Sequence, residues 1–279
     1  MMEMLPDIDP IRLFSDYMAV TGVPKLAPAV GPDPALSGKK LGVVNGSSWT
    51  SLWSTWFGQA ILPGVKIINV GNEAIQLRFM DAYHRGEPCP PQRNIDLTTQ
   101  YAKDLFELVG VDAVLLSCST MNRAVFQVRA ALEPLGVPVV QIDEAMMEEA
   151  VTVPGDDKIL VVATHGPTVN STQQLLRETA ERLGQVVDFA GVTVEDAFHL
   201  LGEGKIAEHN EVIAAAIRQA QQRERIDVVV LAQLSMSVFR FTYPDPVAEF
   251  GVPVLTSGET GFRRAGEILR QTAQRPEPA

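Results

Sequence analysis

The chain repeats itself. Residues 111–121 read VDAVLLSCSTM, and residues 226–236 read IDVVVLAQLSM. Gly136-Val137-Pro138-Val139 returns as Gly251-Val252-Pro253-Val254, and KKLGVVNGSSWTS around Lys40 is answered by DKILVVATHGPTVNST around Lys158. These three anchors keep their order, at offsets of 115 (118 to 233), 115 (136 to 251) and 118 (40 to 158). Apolar runs alone match by chance. The Asp that precedes each strand, Asp112 and Asp227, and the shared Gly-Val-Pro-Val do not. A chain built this way folds as two lobes of similar topology, joined near residues 153–157.

Strand and helix signals alternate within each half. In the first, short apolar runs fall at 41–44 and 65–70. A Pro-rich loop covers 85–93, and a helical pattern covers 96–109. Residues 111–116 form the central strand, followed by helix near 123–135, strand at 136–140 and a short helix at 143–150. The second half carries a long amphipathic helix over 210–223. Such alternation defines an α/β fold: two pseudo-symmetric lobes, each with a mainly parallel sheet flanked by helices. We divide the chain into an N-terminal arm (1–37), a first lobe (38–153), a second lobe (154–270) and a polar tail (271–279). The arm carries Pro6, Pro10, Pro24, Pro28, Pro32 and Pro34, with one or two amphipathic turns over 11–20.

The central strand empties into Ser117, Cys118, Ser119 and Thr120 just before a helical stretch. Ligands of open α/β sheets sit at such carboxyl ends of strands. Two polar strand ends imply one cleft between the lobes. The repeat predicts that Cys118 faces Gln233 there, and that 45–48 faces 164–168.

Composition narrows the partners. A net charge of −11 argues against nucleic acid and against anionic membranes. It does not exclude an anionic small substrate, which a few oriented N–H groups hold locally. Two cysteines build no disulfide framework, and the acidic N-terminus lacks a signal-peptide pattern. No run approaches the ~18–20 apolar residues of a membrane span. The expectation is a soluble, cytoplasmic protein. His84, His199 and His209 show no metal-ligand spacing, no Gly-rich phosphate loop occurs, and nothing asks for a cofactor.

Three motifs resemble the aspartate/glutamate/hydantoin racemase superfamily over residues 40–269. Asn45-Gly46-Ser47-Ser48-Trp49-Thr50-Ser51 is similar to the Gly-Gly-Met-Ser-Trp-x-Ser of aspartate racemases. Cys118-Ser119-Thr120-Met121-Asn122 is similar to their Cys-Asn-Thr-Met-His. Ala163-Thr164-His165-Gly166-Pro167-Thr168-Val169-Asn170-Ser171 resembles their Thr-x-Gly-Thr-x-x-Ser loop. The resemblance implies a cofactor-independent enzyme acting on a small carboxylate, with a homodimer as the common assembly. The departure lies in the second lobe. Family members present a second cysteine in Gly-Cys-Thr, aligned with Ala232-Gln233-Leu234, and this chain has Gln233.

Removing a proton next to a carboxylate needs a poised base and donors for the developing charge. Cys118 is the candidate base or nucleophile, with a helix N-terminus to lower its pKa. Asn45, Ser47, Ser48, Ser119, Thr120, Asn122, Thr164 and Thr168 are candidate substrate-binding residues. No Arg or Lys occurs in these loops, so carboxylate binding rests on neutral donors. Gln233 has no acid–base function at ordinary pH and joins Ser235 as a binding candidate. His165 is the strand-end histidine that could titrate near neutrality. Trp49, Trp53, Trp56 and Phe57 recur at mostly three- or four-residue spacing, which reads as packing or an interface. Trp49 is the pocket candidate. Three reactions fit: racemisation or isomerisation at the carbon alpha to a carboxylate, one-thiol decarboxylation of a malonate-like acid, and covalent isomerisation of an unsaturated diacid. A cleft that binds without turnover is the non-enzymatic alternative.

Overall fold

The computed structural model describes residues 9–21, 31–153, 155 and 158–272. Residues 1–8 and 22–30 of the N-terminal arm, residues 154, 156 and 157 of the join and residues 273–279 of the tail lie outside them. Helix α1 (Pro10–Thr21) comes first and rests on the first lobe, where Gln59 Nε2 donates to Val20 O at 2.6 Å. The first half continues as β1 (Lys40–Asn45), α2 (Ser51–Ile61), β2 (Lys66–Gly71), α3 (Glu73–His84), α4 (Gln92–Val109), β3 (Ala113–Leu116), α5 (Val125–Leu132), β4 (Val139–Gln141) and α6 (Glu144–Thr152). The second half runs β5 (Lys158–Ala163), α7 (Gly166–Leu183), β6 (Asp188–Thr193), α8 (Glu195–Gly202), α9 (Ile206–Arg223), β7 (Ile226–Leu231), α10 (Phe239–Thr242), α11 (Pro246–Phe250), β8 (Val254–Thr256) and α12 (Ser257–Thr272).

Two four-stranded parallel sheets result, in the orders β2-β1-β3-β4 and β6-β5-β7-β8. The second order is the first advanced by four strands, the duplication read from the sequence. The conserved punctuation of the repeat has a physical task in each half. Gly136 and Gly251 both end a helical turn with positive φ, 69° and 72°, a conformation that costs glycine no Cβ clash. The proline two residues on opens the edge strand, where its missing N–H is not needed. Its carbonyl still accepts from the central strand, at 3.0 Å from Val114 and 2.9 Å from Val229. Asp112 ties the start of β3 to that of β1, accepting from Lys40 N at 2.8 Å and from Lys39 Nζ at 2.9 Å.

The central strand β3 is apolar throughout, and β7 is apolar apart from Asp227, because both faces of each sheet are covered. One covering is crossed over. Helix α6 follows the first sheet, yet Met146, Met147, Ala150 and Val151 pack with Ile159, Val161, Val228 and Val230 of the second. Helix α12 follows the second sheet, yet Phe262, Ala265 and Leu269 pack with Leu41, Val43, Leu115 and Phe57 of the first. Leu234 also enters that first-lobe cluster. Each lobe therefore completes the core of the other. Among the described residues no helix is long and apolar enough to cross a membrane.

Candidate active site

In each sheet the chain leaves the first strand for one neighbour and later returns to the other side. The switch points lie between β1 and β3 and between β5 and β7, where ligands of doubly wound sheets bind. Four loops leave those strands: 46–50, 117–120, 164–166 and 232–235. They meet in one pocket lined by Gly46, Ser47, Trp49, Ser119, Thr120 and Cys118 of the first half, with His165, Gln233, Leu234 and Ser235 of the second. Thr50, Gln76, Phe79 and Ser117 complete the wall. The void is about 450 Å³ with its open mouth included, a size suited to a small metabolite. No side chain in this lining carries a full charge at neutral pH.

Cys118 precedes a 3-10 turn, Ser119–Ala124, and Gln233 precedes its counterpart, Leu234–Val238. Both side chains reach the same pocket from opposite lobes. The Cys118 thiol is pushed up to about 11, chiefly by burial. The N–H groups of Met121 and Thr120 at the start of the turn hold it down in part, and Asp143 pushes it further up. The helix-end lowering expected from the sequence is therefore present but loses to desolvation, which always disfavours the charged form. The resting group is a protonated thiol.

Gln233 turns its oxygen away from the pocket. Oε1 accepts from Thr164 N at 2.6 Å and from Thr164 Oγ1 at 3.0 Å. Thr164 is thus spent on Gln233 and does not line the pocket. Gln233 Nε2 makes no hydrogen bond within the described residues and remains a donor for a ligand. His165 is 7% exposed and lies edge-on to Phe198, with ring centroids 4.3 Å apart. Burial pushes it down to about 4, so it is a neutral imidazole at pH 7. Titration near neutrality, expected from the sequence, gives way to that burial.

The remaining predicted residues divide by position. Ser47 is buried, lines the pocket, and its Oγ has no partner within the described residues. Ser235 lines the pocket on the facing wall. Trp49 lies at the mouth, its Nε1 donating to Gln76 Oε1 at 3.1 Å. Ser48 faces outward and bonds Glu73 through its N–H and hydroxyl. Asn45 sits beneath the pocket: its Nδ2 donates to Asn69 Oδ1 at 3.0 Å, and its Oδ1 accepts from Ser54 and Ser117 at 2.6 and 2.7 Å. It fastens β1 to β2, α2 and the end of β3. Thr120 and Thr168 share a 2.8 Å hydrogen bond between the lobes. Beside them Asn122 Nδ2 donates to Ser171 O at 3.1 Å, and Arg123 clamps Glu178 at 2.8 and 2.9 Å. Hydrogen bonds therefore join the lobes through 119–123 and 168–178, while Gly46 and Ser47 border the pocket with His165, Gln233, Leu234 and Ser235.

Two features escaped sequence reasoning. Asp143 is fully buried behind Ser119, whose hydroxyl donates to it at 2.9 Å. Phe241 gathers Trp53, Trp56 and Phe57, stacking on Phe57 at 10° with centroids 6.2 Å apart. The helical stripe after Trp49 is therefore packing, completed by a ring from the second half. Among the described residues no three His, Cys, Asp or Glu gather as a metal site.

Two parallel α/β lobes thus share one pocket at their duplicated switch points. A family model, Asp/Glu/Hydantoin racemase, matches residues 63–265. The chain belongs to that family. Solved structures share the fold. A glutamate racemase from Bacillus anthracis is 17% identical, with a TM-score of 0.60 over 84% of this chain and 82% of that one. An aspartate racemase homologue from Pyrococcus horikoshii is also 17% identical, with a TM-score of 0.60 over 83% and 99%. An allantoin racemase from Pseudomonas fluorescens is 19% identical, with a TM-score of 0.53 over 86% and 98%. Comparison with curated protein sequences gives no significant match.

Proposed function

We propose that the chain is a cofactor-independent racemase or isomerase acting at the carbon alpha to a carboxylate of an amino acid or related small acid. The observation that carries this reading is the placement of Cys118: a protonated thiol at a switch-point strand end, in a pocket of neutral donors, opposite the second lobe. Ser47 Oγ, Gln233 Nε2, Ser235 Oγ and the free N–H groups of the two 3-10 turns are the donors for the carboxylate and for enolate charge. The rest of the substrate rests against Trp49, Phe79 and Leu234.

In this mechanism neutral His165 takes the alpha proton on one face while the Cys118 thiol gives its proton to the other. The products are an imidazolium and a thiolate, which return to the resting pair by proton transfer. Both groups start in the protonation state the step requires. The same protonated thiol favours a second reading, decarboxylation of a malonate-like acid, in which carbon dioxide leaves without a base and Cys118 protonates the carbanion.

The test is turnover of candidate acids in deuterium oxide, followed by NMR and chiral chromatography. Racemisation incorporates deuterium at the alpha carbon with loss of stereochemistry and no carbon dioxide. Carbon dioxide release selects the lyase. Conversion with neither deuterium exchange nor carbon dioxide rejects both. Cys118→Ser is expected to lower the rate at least 100-fold, and an unchanged rate removes Cys118 from the mechanism.

A further inference from the structure

Asp143 is a buried titratable group that the mechanism above does not use. It follows β4, and its carboxyl is held by two neutral donors. Ser119 Oγ donates to Oδ1 at 2.9 Å, and Gln141 Nε2 donates to Oδ2 at 3.1 Å. Gln141 Oε1 is itself buried without a partner. Among the described residues no cation answers the carboxylate. Glu144, the next residue, is taken by Arg129 at 2.7 Å. One turn along α6, Glu148 takes Arg182 of α7 and Arg264 of α12. Glu259, in the first turn of α12, takes Arg240. The groups acting on Asp143 are thus Glu144, of its own sign, and Cys118, the residue before Ser119. Burial pushes the Asp143 carboxyl up to about 7, against the hydrogen bonds from Ser119 and Gln141.

We propose that Asp143 is a proton-dependent positioning residue of this site, acting through Ser119 and Cys118. A hydroxyl has one proton to give. When Asp143 is ionised, Ser119 spends that proton on it, presents lone pairs to the pocket, and the buried charge opposes a thiolate at Cys118. When Asp143 is protonated, it donates to Ser119 Oγ. The serine then turns its O–H into the pocket, and the obstacle to the thiolate is gone. For substrate the inference rests on the reading of the pocket as a carboxylate site: binding a carboxylate there takes up a proton at Asp143.

The experiment uses the full chain with Cys89→Ser, which leaves Cys118 as the thiol, and follows its alkylation by iodoacetamide from pH 6 to 9, with and without malonate. Asp143→Asn is expected to speed alkylation roughly tenfold at pH 8, the effect of a one-unit fall in the thiol pKa. Malonate is expected to protect Cys118 more at pH 6 than at pH 8.5, with that difference lost in Asp143→Asn. An unchanged alkylation rate in a variant with native circular dichroism overturns the proposal. If Asp143→Asn does not fold, Ser119→Ala decides: withdrawing a hydrogen bond that favours the carboxylate speeds alkylation several-fold at pH 8, and no change overturns the proposal. Faster alkylation without malonate protection at any pH upholds the coupling and rejects the carboxylate reading instead.

Discussion

Gly46 and Cys118 are packed so closely that a β-carbon on Gly46 would lie 2.5 Å from the Cys118 sulfur and 3.0 Å from its Cβ. The glycine that opens the loop after β1 makes room for the thiol of the neighbouring strand end. Gly46→Ala is therefore expected to push Cys118 from its place in the pocket. The cost in stability is ~1–3 kcal/mol, as for other overpacked sites. Alkylation of Cys118 and substrate turnover should both change by more than tenfold while the circular dichroism spectrum stays native. A variant with wild-type turnover rejects this role for Gly46.

Gln233 to Thr164 is the second relationship that can be tested directly. Gln233→Cys places a thiol opposite Cys118 but leaves the buried Thr164 N–H without its 2.6 Å acceptor. Unfolding by denaturant should show a loss of about 1–3 kcal/mol. If the site is geometrically intact and one acid–base group short, the variant gains alpha-proton exchange in deuterium oxide over the parent chain. A stable variant with no gain shows that Gln233 is a binding group for which a thiol is no substitute.

His165 makes stability depend on pH. In the unfolded chain it titrates near 6.5, and in the folded chain near 4. Between these values the unfolded state holds more protons, so stability rises with pH and is lost as pH falls from about 6.5 toward 4. Asp143 works in the opposite sense. Its folded value, about 7, lies above its ordinary 3.8, so its contribution is present at low pH and is lost as pH rises through 7. His165→Asn removes the first effect alone. At pH 5 the variant should recover about 2 kcal/mol relative to the parent's own change from pH 7. Denaturation midpoints at pH 5 and pH 7.5 check this, and parallel curves for the two proteins reject it.

Phe241 is half exposed yet holds three rings of α2. Phe241→Ala should cost about 1–2 kcal/mol, less than the 3–5 kcal/mol of a fully buried phenylalanine. Tryptophan emission should shift to the red as Trp53 and Trp56 become wetter. A melting temperature and emission spectrum both equal to the parent's reject the packing role.

The fold and the pocket at its strand ends are legible in the sequence because both depend on local, repeated signals. Apolar runs and the Gly-Val-Pro-Val turns act within a few residues, and duplication doubled each signal. Strand β6 and helix α8 were not read, since Asp188–Thr193 is an edge strand with partly polar, exposed residues. The stretch after Cys118 reads as helix and is first a 3-10 turn, because both conformations start with the same polar cluster.

What the sequence by itself determined is the two-lobed parallel architecture, the four strand ends that meet, and the pairing of Cys118 with Gln233. These follow from chain order and from right-handed strand–helix–strand connections. What only the tertiary structure decided are the crossing of α6 and α12 between the lobes, the diversion of Asn45, Ser48 and Thr164 into internal hydrogen bonds, and the protonation states of Cys118, His165 and Asp143. These depend on which distant segment covers a group and removes water from it. Desolvation and long-range packing are properties of the assembled core, and no local pattern in the chain encodes them.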